Sequence, residues 1–393
     1  MRQGRVLILA TRVPVRAGDG TPSFVLDNAL PLSDRFKISI ISPRVKGARE
    51  HTTLKGIKIT RFAYFPRRWE SLAEDAIVPQ LRQRPWLWLQ ALSLTLLMLI
   101  AALRRIHLER PDVIHAQWIL PAGLVALALR ALTGTPYLVT AQGADAFRFE
   151  SSGLRRVKKM IVGHAGYFVG VSAEITERYR SVGASTEFAT QPSGIDFAFW
   201  GDVGQRTHDG LTVLFVGRLA AKKGVDTAVR AIRGLDKVKL RVIGAGPELR
   251  QLLALVDETG VADRVTFLGQ KDREQLLKEF RSATCIVIPS VTAPDGDRDG
   301  TPNVLGEAVA AGVPIVASRI AGLQELLEHG SSGLLHEPGD PNELGACIRR
   351  LLDEPFLGDR LAKEAKRQLR ATLDLARVAD RYAGWYAELG RLS

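Results

Sequence analysis

Short runs of consecutive apolar residues, each closed by a polar stretch bearing glycine or proline and followed by helical spacing, recur along the whole chain. Residues 5–10 form the first run, a loop holding Gly18 and Gly20 follows, residues 23–32 have helical spacing, and 37–42 return as a strand. This strand–helix–strand alternation predicts a parallel, doubly wound sheet. Residues 112–117, an Ala/Leu-rich helix to Leu132, residues 137–140, residues 169–172 and a helix from Ala173 continue it. A polar, glycine-bearing stretch at 202–210 then suits a linker. The pattern starts afresh with strands at 211–216, 239–243, 264–268 and 285–289, separated by helices from Val225 and Asp272. Helices at 343–352, 357–370 and 376–389 close the chain.

One stretch departs from this rhythm. Residues 86–103 carry no charge and are bounded by Arg82, Arg84, Arg104 and Arg105. Their number sits at the lower limit for crossing a bilayer. A strand resumes at Asp112, and a span would leave the first strands across the membrane, so the pattern predicts a helix that is partly core and partly surface-embedded.

A length of 393 residues exceeds a comfortable single core and implies two domains, 1–200 and 211–375, followed by a final helix at 376–393. Cys285 and Cys347 lie far apart beside apolar residues, and the apolar run at 6–10 is too short for a secretory core, which together predict free thiols in a reducing cytoplasm. Net charge is +12, and residues 1–195 hold 27 Lys and Arg against 14 Asp and Glu. The remainder holds 27 against 28, so the whole excess lies in the first half. Such a field suits nucleic acid, anionic lipid or an anionic substrate. No zinc-finger spacing, RNA-binding aromatic signature or helix-turn-helix is present, which removes nucleic acid as a partner.

Candidate chemistry gathers in loops after predicted strands. Asp299-Gly-Thr-Pro-Asn-Val-Leu-Gly-Glu307 opens a predicted helix, with Thr301 as N-cap and Pro302 as first helical residue. Free N–H groups at such a start seat a phosphate oxygen, and Asn303 and Glu307 share one face. Arg218 and Lys223 stand five apart in a loop bounded by Gly217 and Gly224, an arrangement that brings two cations to one diphosphate. Gly244-Ala-Gly246 lacks the third glycine of a dinucleotide fingerprint, so that reading is rejected. Asp295 and Asp297 read as a solvated acidic loop, not as a metal clamp. His115 and Gln142 fall at strand ends, where parallel sheets bind ligands.

Pro192-x-Gly194-x-Asp196, the 217–224 loop, Gly244-x-Gly246 and the 299–312 segment follow one another in this order, and over nearly the whole chain the sequence resembles the retaining GT-B glycosyltransferases of family 4. Asp299 replaces the first Glu of that family's Glu-x7-Glu segment, and Gln142 stands where its Thr-x-His-Gly-x-Asp loop has histidine. The resemblance implies two Rossmann-like domains facing a central cleft, with the last helix crossing back to the first domain. It implies Arg218, Lys223, Asp299 and Glu307 as catalytic residues. It puts Gly217, Gly244, Gly246, Leu268, Gly300, Thr301, Asn303 and Val304 with them around the donor, and Gly18, Gly20, His115, Gln142 and Asp145 on the acceptor side. The implied reaction moves a sugar from a nucleotide-diphosphate donor to a lipid-linked or polysaccharide-precursor acceptor, without cofactor or metal. With the basic first half it implies a cytoplasmic enzyme, peripheral on an anionic membrane. The other readings are a silent donor-binding subunit and a GT-B epimerase or phosphorylase.

Overall fold

The structure, a computed structural model, describes residues 3–16, 23–74, 77, 80–81, 84–148, 151–182, 185–201, 207–354 and 356–392. The chain forms two compact units, Met1–Pro192 with Ala376–Ser393, and Ser193–Leu375. The first division falls ahead of 202–210 because Ile195, Phe197 and Trp200 already pack into the second unit's core. Residues 202–206 of that expected linker lie outside the described residues.

The first unit holds β1 (Gly4–Leu9), β2 (Phe36–Pro43), β3 (His51–Leu54), β4 (Ile57–Phe62), β5 (Val113–Gln117), β6 (Tyr137–Ala141), β7 (Tyr167–Gly170) and β8 (Glu187–Thr190). They form one sheet in the order β3-β4-β2-β1-β5-β6-β7-β8, parallel throughout except for the β3–β4 hairpin at its edge. The apolar pattern did not reveal that hairpin, because His51–Leu54 alternates exposed and half-buried residues and contributes no buried run. Strand alternation divides the core: Leu7 and Leu9 join the layer with helices Leu87–Glu109 and Leu124–Thr133, while Val6 and Ile8 face the layer with helix Phe24–Ala29.

That second layer is completed by the last helix, Leu375–Gly390, whose Val378, Ala379, Tyr382, Ala383 and Tyr386 are buried at helical spacing. Its placement is fixed by polar contacts as well as by area. His115 Nδ1 lies 2.6 Å from the Tyr386 hydroxyl and Nε2 lies 2.8 Å from Thr140 Oγ1, while the Tyr382 ring stacks on the imidazole at 5.3 Å. The Tyr382 hydroxyl reaches Thr140 Oγ1 at 3.1 Å.

In the second unit β9 (Thr212–Val216), β10 (Lys239–Ile243), β11 (Val265–Phe267), β12 (Cys285–Ile288), β13 (Ile315–Ser318) and β14 (Leu334–His336) form a wholly parallel sheet ordered β11-β10-β9-β12-β13-β14. This is the doubly wound order that reverses direction once, between β9 and β12. Helices Val225–Arg233, Leu249–Thr259 and Pro341–Asp353 cover one face, and Asn303–Ala311 and Leu357–Leu373 the other. Ile195 bonds the backbone of Leu373 (2.7 Å) and Leu375 (3.0 Å), so the chain leaves this unit beside the point where it came in. Cys285 and Cys347 are buried free thiols.

Burial holds the His115 imidazole down at about 3, so it is neutral in the fold. An unfolded histidine takes up a proton below about 6.5, so stability from this group is complete above that pH and is lost as pH falls toward the folded value. His115→Gln should therefore flatten the acid limb of stability. The wild-type-minus-variant unfolding free energy should fall by on the order of 1 kcal/mol per pH unit between about pH 6 and pH 4. A difference that stays constant with pH in urea unfolding would assign the acid limb to other groups.

Candidate active site

The loops that follow β9, β10, β11 and β12 make the carboxyl edge of the second unit's sheet. They are laced by backbone bonds: Gly217 N–H to Ile243 O (3.0 Å), Leu219 N–H to Ala245 O (3.0 Å), Glu248 N–H to Leu219 O (3.1 Å) and Gly244 N–H to Gly269 O (2.8 Å). Two glycines permit this approach. Gly244 has φ +138°, and a Cβ there would land on the Gly217 carbonyl oxygen; a Cβ on Gly246 would land on the Leu219 carbonyl. Gly244 and Gly246, expected to touch a donor, thus have a structural duty in holding the 217–224 loop. Leu268, half-buried, donates its N–H to Val242 O (2.8 Å) and leads into Gly269.

Between β9 and β12, where strand order reverses, four charged side chains meet. Lys223 Nζ lies 2.7 Å from Asp299 Oδ2; Lys222 Nζ lies 3.3 Å from Asp299 Oδ1 and 3.3 Å from Asp297 Oδ1. Ser290 Oγ donates to Asp299 Oδ2 at 3.0 Å. The Asp299 side chain is only 9% exposed. Burial alone would raise its carboxyl, but the charges of Lys223 and then Lys222 outweigh that and hold it at about 2. For Lys222 burial pulls the other way, and Asp299 and Asp297 raise the ammonium above its ordinary value. Asp299 is consequently a permanent carboxylate whose oxygens serve two lysines and a serine. Asp297, expected in solvent, is 8% exposed and paired. Lys222 and Ser290 were missed because neither lies on the Arg218/Lys223 or Asp299/Glu307 spacing.

The lysines are aimed by a single helical turn, Ala221–Lys223, closed by Gly224 in the left-handed region and tied across to the other loop by Val291 N–H to Lys222 O (2.8 Å). Arg218 is half-buried on the same loop. Past buried Gly300 and half-buried Thr301, the helix Asn303–Ala311 begins one residue later than expected, with Pro302 as its N-cap residue and no side-chain cap. Pro302 has extended backbone (ψ 129°), which explains the shift. Asn303, Val304 and Glu307 are half-buried at its start, with Val304 packed against the core.

The first unit's carboxyl edge differs from expectation. His115 is no ligand-facing group: it is 3% exposed, and both ring nitrogens have partners within the unit. Asp145 is 4% exposed and accepts the backbone N–H groups of Ile119 (2.9 Å), Gln142 (3.0 Å) and Gly143 (3.0 Å), although burial raises its pKa. It shapes the loop and does not present itself. Gln142 is half-buried and donates to Gln117 Oε1 at 3.2 Å, and the Gln117 amide nitrogen lies 3.2 Å from His115 Nε2. Gly18 and Gly20 lie outside the described residues.

The profile of the family Glycosyltransferase Family 4 matches residues 24–199, and that of Glycosyl transferases group 1 matches residues 198–368. The chain is 31% identical over 294 residues to a glycogen synthase of Mycobacterium tuberculosis, which covers 70% of this chain and 69% of that protein. It is 35% identical over 179 residues to the lipopolysaccharide core biosynthesis glycosyltransferase LpsD of Rhizobium meliloti, 45% of this chain and 50% of that one. Among solved structures, Anabaena HepE in complex with UDP and glucose superposes with a TM-score of 0.74 at 18% identity, over 97% of this chain and 99% of that one.

Two substitutions test the architecture of the second unit's edge. Asp299→Asn leaves Lys222 with Asp297 and takes from Lys223 its carboxylate partner at 2.7 Å, and should cost about 3–5 kcal/mol in urea unfolding. Gly246→Ala forces a methyl into the Leu219 backbone and should cost about 1–3 kcal/mol or displace the 217–224 loop. Gly234→Ala, whose methyl would meet Ala231 O at 3.8 Å, is the matched control and should be nearly neutral. Equal effects at Gly246 and Gly234 would show that the loop is not held by this contact.

Proposed function

The chain belongs to the GT-B glycosyltransferases of family 4 and is a transferase; on that premise we propose that it moves a sugar from a nucleotide-diphosphate sugar to a lipid-linked or polysaccharide-precursor acceptor, with retention at the anomeric carbon. The lysine–aspartate cluster where the second unit's strand order reverses carries this reading, because it fixes Lys223 on the loop that also bears Arg218. When the bond from the anomeric carbon to the diphosphate breaks, negative charge develops on the leaving oxygen. Arg218, Lys223 and the positive start of helix Asn303–Ala311 supply fixed positive charge for it, which needs no reorganisation during reaction. The UDP and glucose bound by HepE support a donor of this class, and LpsD supports a lipid-borne acceptor in envelope synthesis.

In this reading Asp299 does not exchange protons, since its carboxyl is held at about 2, far below working pH. It orients the lysines while Glu307, just over one helical turn past Asn303, accepts hydroxyls of the donor. Gln142 contributes hydrogen bonds and cannot act as an acid or base near neutral pH. The acceptor oxygen bonds the anomeric carbon on the face the diphosphate leaves; the electron pair of the broken bond goes to the departing diphosphate oxygen, and that oxygen takes the hydroxyl proton. A cytoplasmic position, peripheral on the inner face of the plasma membrane, is part of the same proposal and is supported by the basic excess of residues 1–195.

Incubation with a panel of nucleotide sugars, with and without a lipid-linked acceptor, tests this. NMR of the product should show the donor's own anomeric configuration, and transfer should require acceptor. Inverted product, or altered free sugar without acceptor, would overturn the proposal. Arg218→Ala and Lys223→Ala should each lose a charge-assisted contact of about 1.5–3 kcal/mol, more than tenfold in kcat/KM. Glu307→Gln should weaken donor use while leaving the melting temperature near wild type. Unchanged kinetics in all three variants would remove Arg218, Lys223 and Glu307 from the donor site.

A further inference from the structure

Helix Leu87–Glu109 has two apolar faces. One is buried in the first unit's core through Leu87, Gln90, Leu94, Met98, Ala102 and Ile106. The opposite face exposes Trp88 (42%), Leu89 (64%), Leu92 (67%), Leu96 (58%) and Ile100 (37%), which recur at spacings of one, three and four residues. A helix on a water-facing surface ordinarily carries polar residues there, and a continuous apolar stripe marks a contact surface. Trp86 and Trp69, each about half exposed, stand at its first turn. Exposed Arg67, Arg68 and Arg84 flank them, with Arg68 stacked 4.3 Å over the Trp69 ring.

The direction of the helix gives the stripe a meaning. Its first turns are tied to the segment just past β4: Gln90 donates to Trp69 O (2.7 Å) and accepts from Leu72 N–H (3.2 Å). Its last turn is tied to the opposite edge, where Glu109 accepts Arg5 through its carbonyl (2.5 Å) and Ser39 through its carboxylate (2.7 Å). The tryptophan end therefore lies at the carboxyl edge of this sheet, the edge that carries Gln142 and the loop after β5. Length and composition would let the helix cross a bilayer. Crossing would strip Leu94, Met98 and Ala102 from the core, so the helix lies along the surface instead.

We propose that this face docks in the interfacial layer of an anionic bilayer, with tryptophans and leucines inserted and arginines against lipid headgroups, and so brings the first unit's carboxyl edge to a membrane-borne acceptor. This rests on the lipid-linked acceptor of the preceding reading and specifies the surface that meets the lipid. Charge selects the partner. No acidic residue occurs between residues 76 and 108, and beside Trp69 the Glu70 carboxylate is paired with Arg44 (2.8 Å) and Glu74 accepts the Lys46 N–H (2.6 Å), so this face carries an excess of arginine that anionic headgroups complement and a second copy of the same face does not.

Flotation of the full chain with phosphatidylcholine vesicles, with and without phosphatidylglycerol, tests the docking. Binding should need the anionic lipid and persist in part at high salt, because insertion is not screened, and tryptophan emission should shift to the blue. Replacing Leu92 and Leu96 together with Glu should lower partitioning more than tenfold, roughly the effect of losing two buried leucines. Arg67→Gln with Arg68→Gln and Arg84→Gln should remove the salt-sensitive part alone. Transfer to a soluble acceptor analogue should survive in both variants, which separates lost docking from lost fold. Transfer to the lipid acceptor in detergent tests the acceptor reading independently. No flotation with any vesicle, flotation indifferent to the leucine pair, or self-association abolished by that pair without lipid binding would each overturn the proposal.

Discussion

Four charges with little water among them set the geometry of the second unit's carboxyl edge. The side chains of Lys222, Lys223, Asp297 and Asp299 are 20, 18, 11 and 9% exposed. Removing any one ion from water costs several kcal/mol, and only close, alternating opposite charges return it. The lysines ride on the loop after β9 and the aspartates on the loop after β12, so the cluster ties those loops together at the point where strand order reverses. Helix Asn303–Ala311 begins four residues past Asp299, so its positive end is placed by the same contacts. The lysines and the helix dipole are thereby held in one arrangement, and for the proposed donor site that is the condition for electrostatic catalysis without reorganisation.

Much of the fold was legible because its strands are buried on both faces and read as unbroken apolar runs: the strands expected at 5–10, 211–216 and 285–289 appear within a residue or two of their ends. The β3–β4 hairpin was not, because an edge strand need bury little. The loops that make up the candidate site were legible in outline through spacing within each of them. Its pairing was not, because Lys222 meets Asp297 across 75 residues and nothing in a linear pattern reports which acid is dry. Asp297 reads as a solvated loop acid for that reason. The structural duty of the glycines was hidden in a related way: φ and backbone approach are set by a second loop, so Gly246 was visible as a glycine but its neighbour Leu219 was not.

The first unit shows the converse case, in which polar residues at strand ends are consumed by structure. His115, Thr140, Tyr382 and Tyr386 satisfy one another beneath the returning helix, and Asp145 spends its two oxygens on three backbone N–H groups. Buried polar groups left without partners cost about 1–3 kcal/mol each, so their mutual satisfaction fixes the register of the last helix where apolar packing alone would tolerate a slip. Lys158, fully buried on helix Ser152–Gly163, likewise donates to the carbonyls of Ala146 (3.2 Å) and Arg148 (2.7 Å) and holds the end of the 144–147 turn. Gln142, half-buried at the end of the His115–Gln117 chain, is the member of that chain that is not fully buried.

The two halves of the chain use charge differently. Beyond Ile195 cations and anions nearly balance, and several are spent in local pairs such as Arg241 and Lys271 on Glu279 (3.1 Å each) and Arg319 on Glu337 (3.2 Å). The first 195 residues carry 13 more basic than acidic residues, so local pairing cannot absorb the excess and a long-range positive field results. Screening confines that field to about 10 Å at 0.1 M salt, which suits guiding an encounter and is weak as an anchor. An apolar stripe works at contact range and is indifferent to salt. In the proposed docking the two divide approach from retention, and neither asks the core to give up a residue, since the face of helix Leu87–Glu109 that supplies stability is the one turned inward.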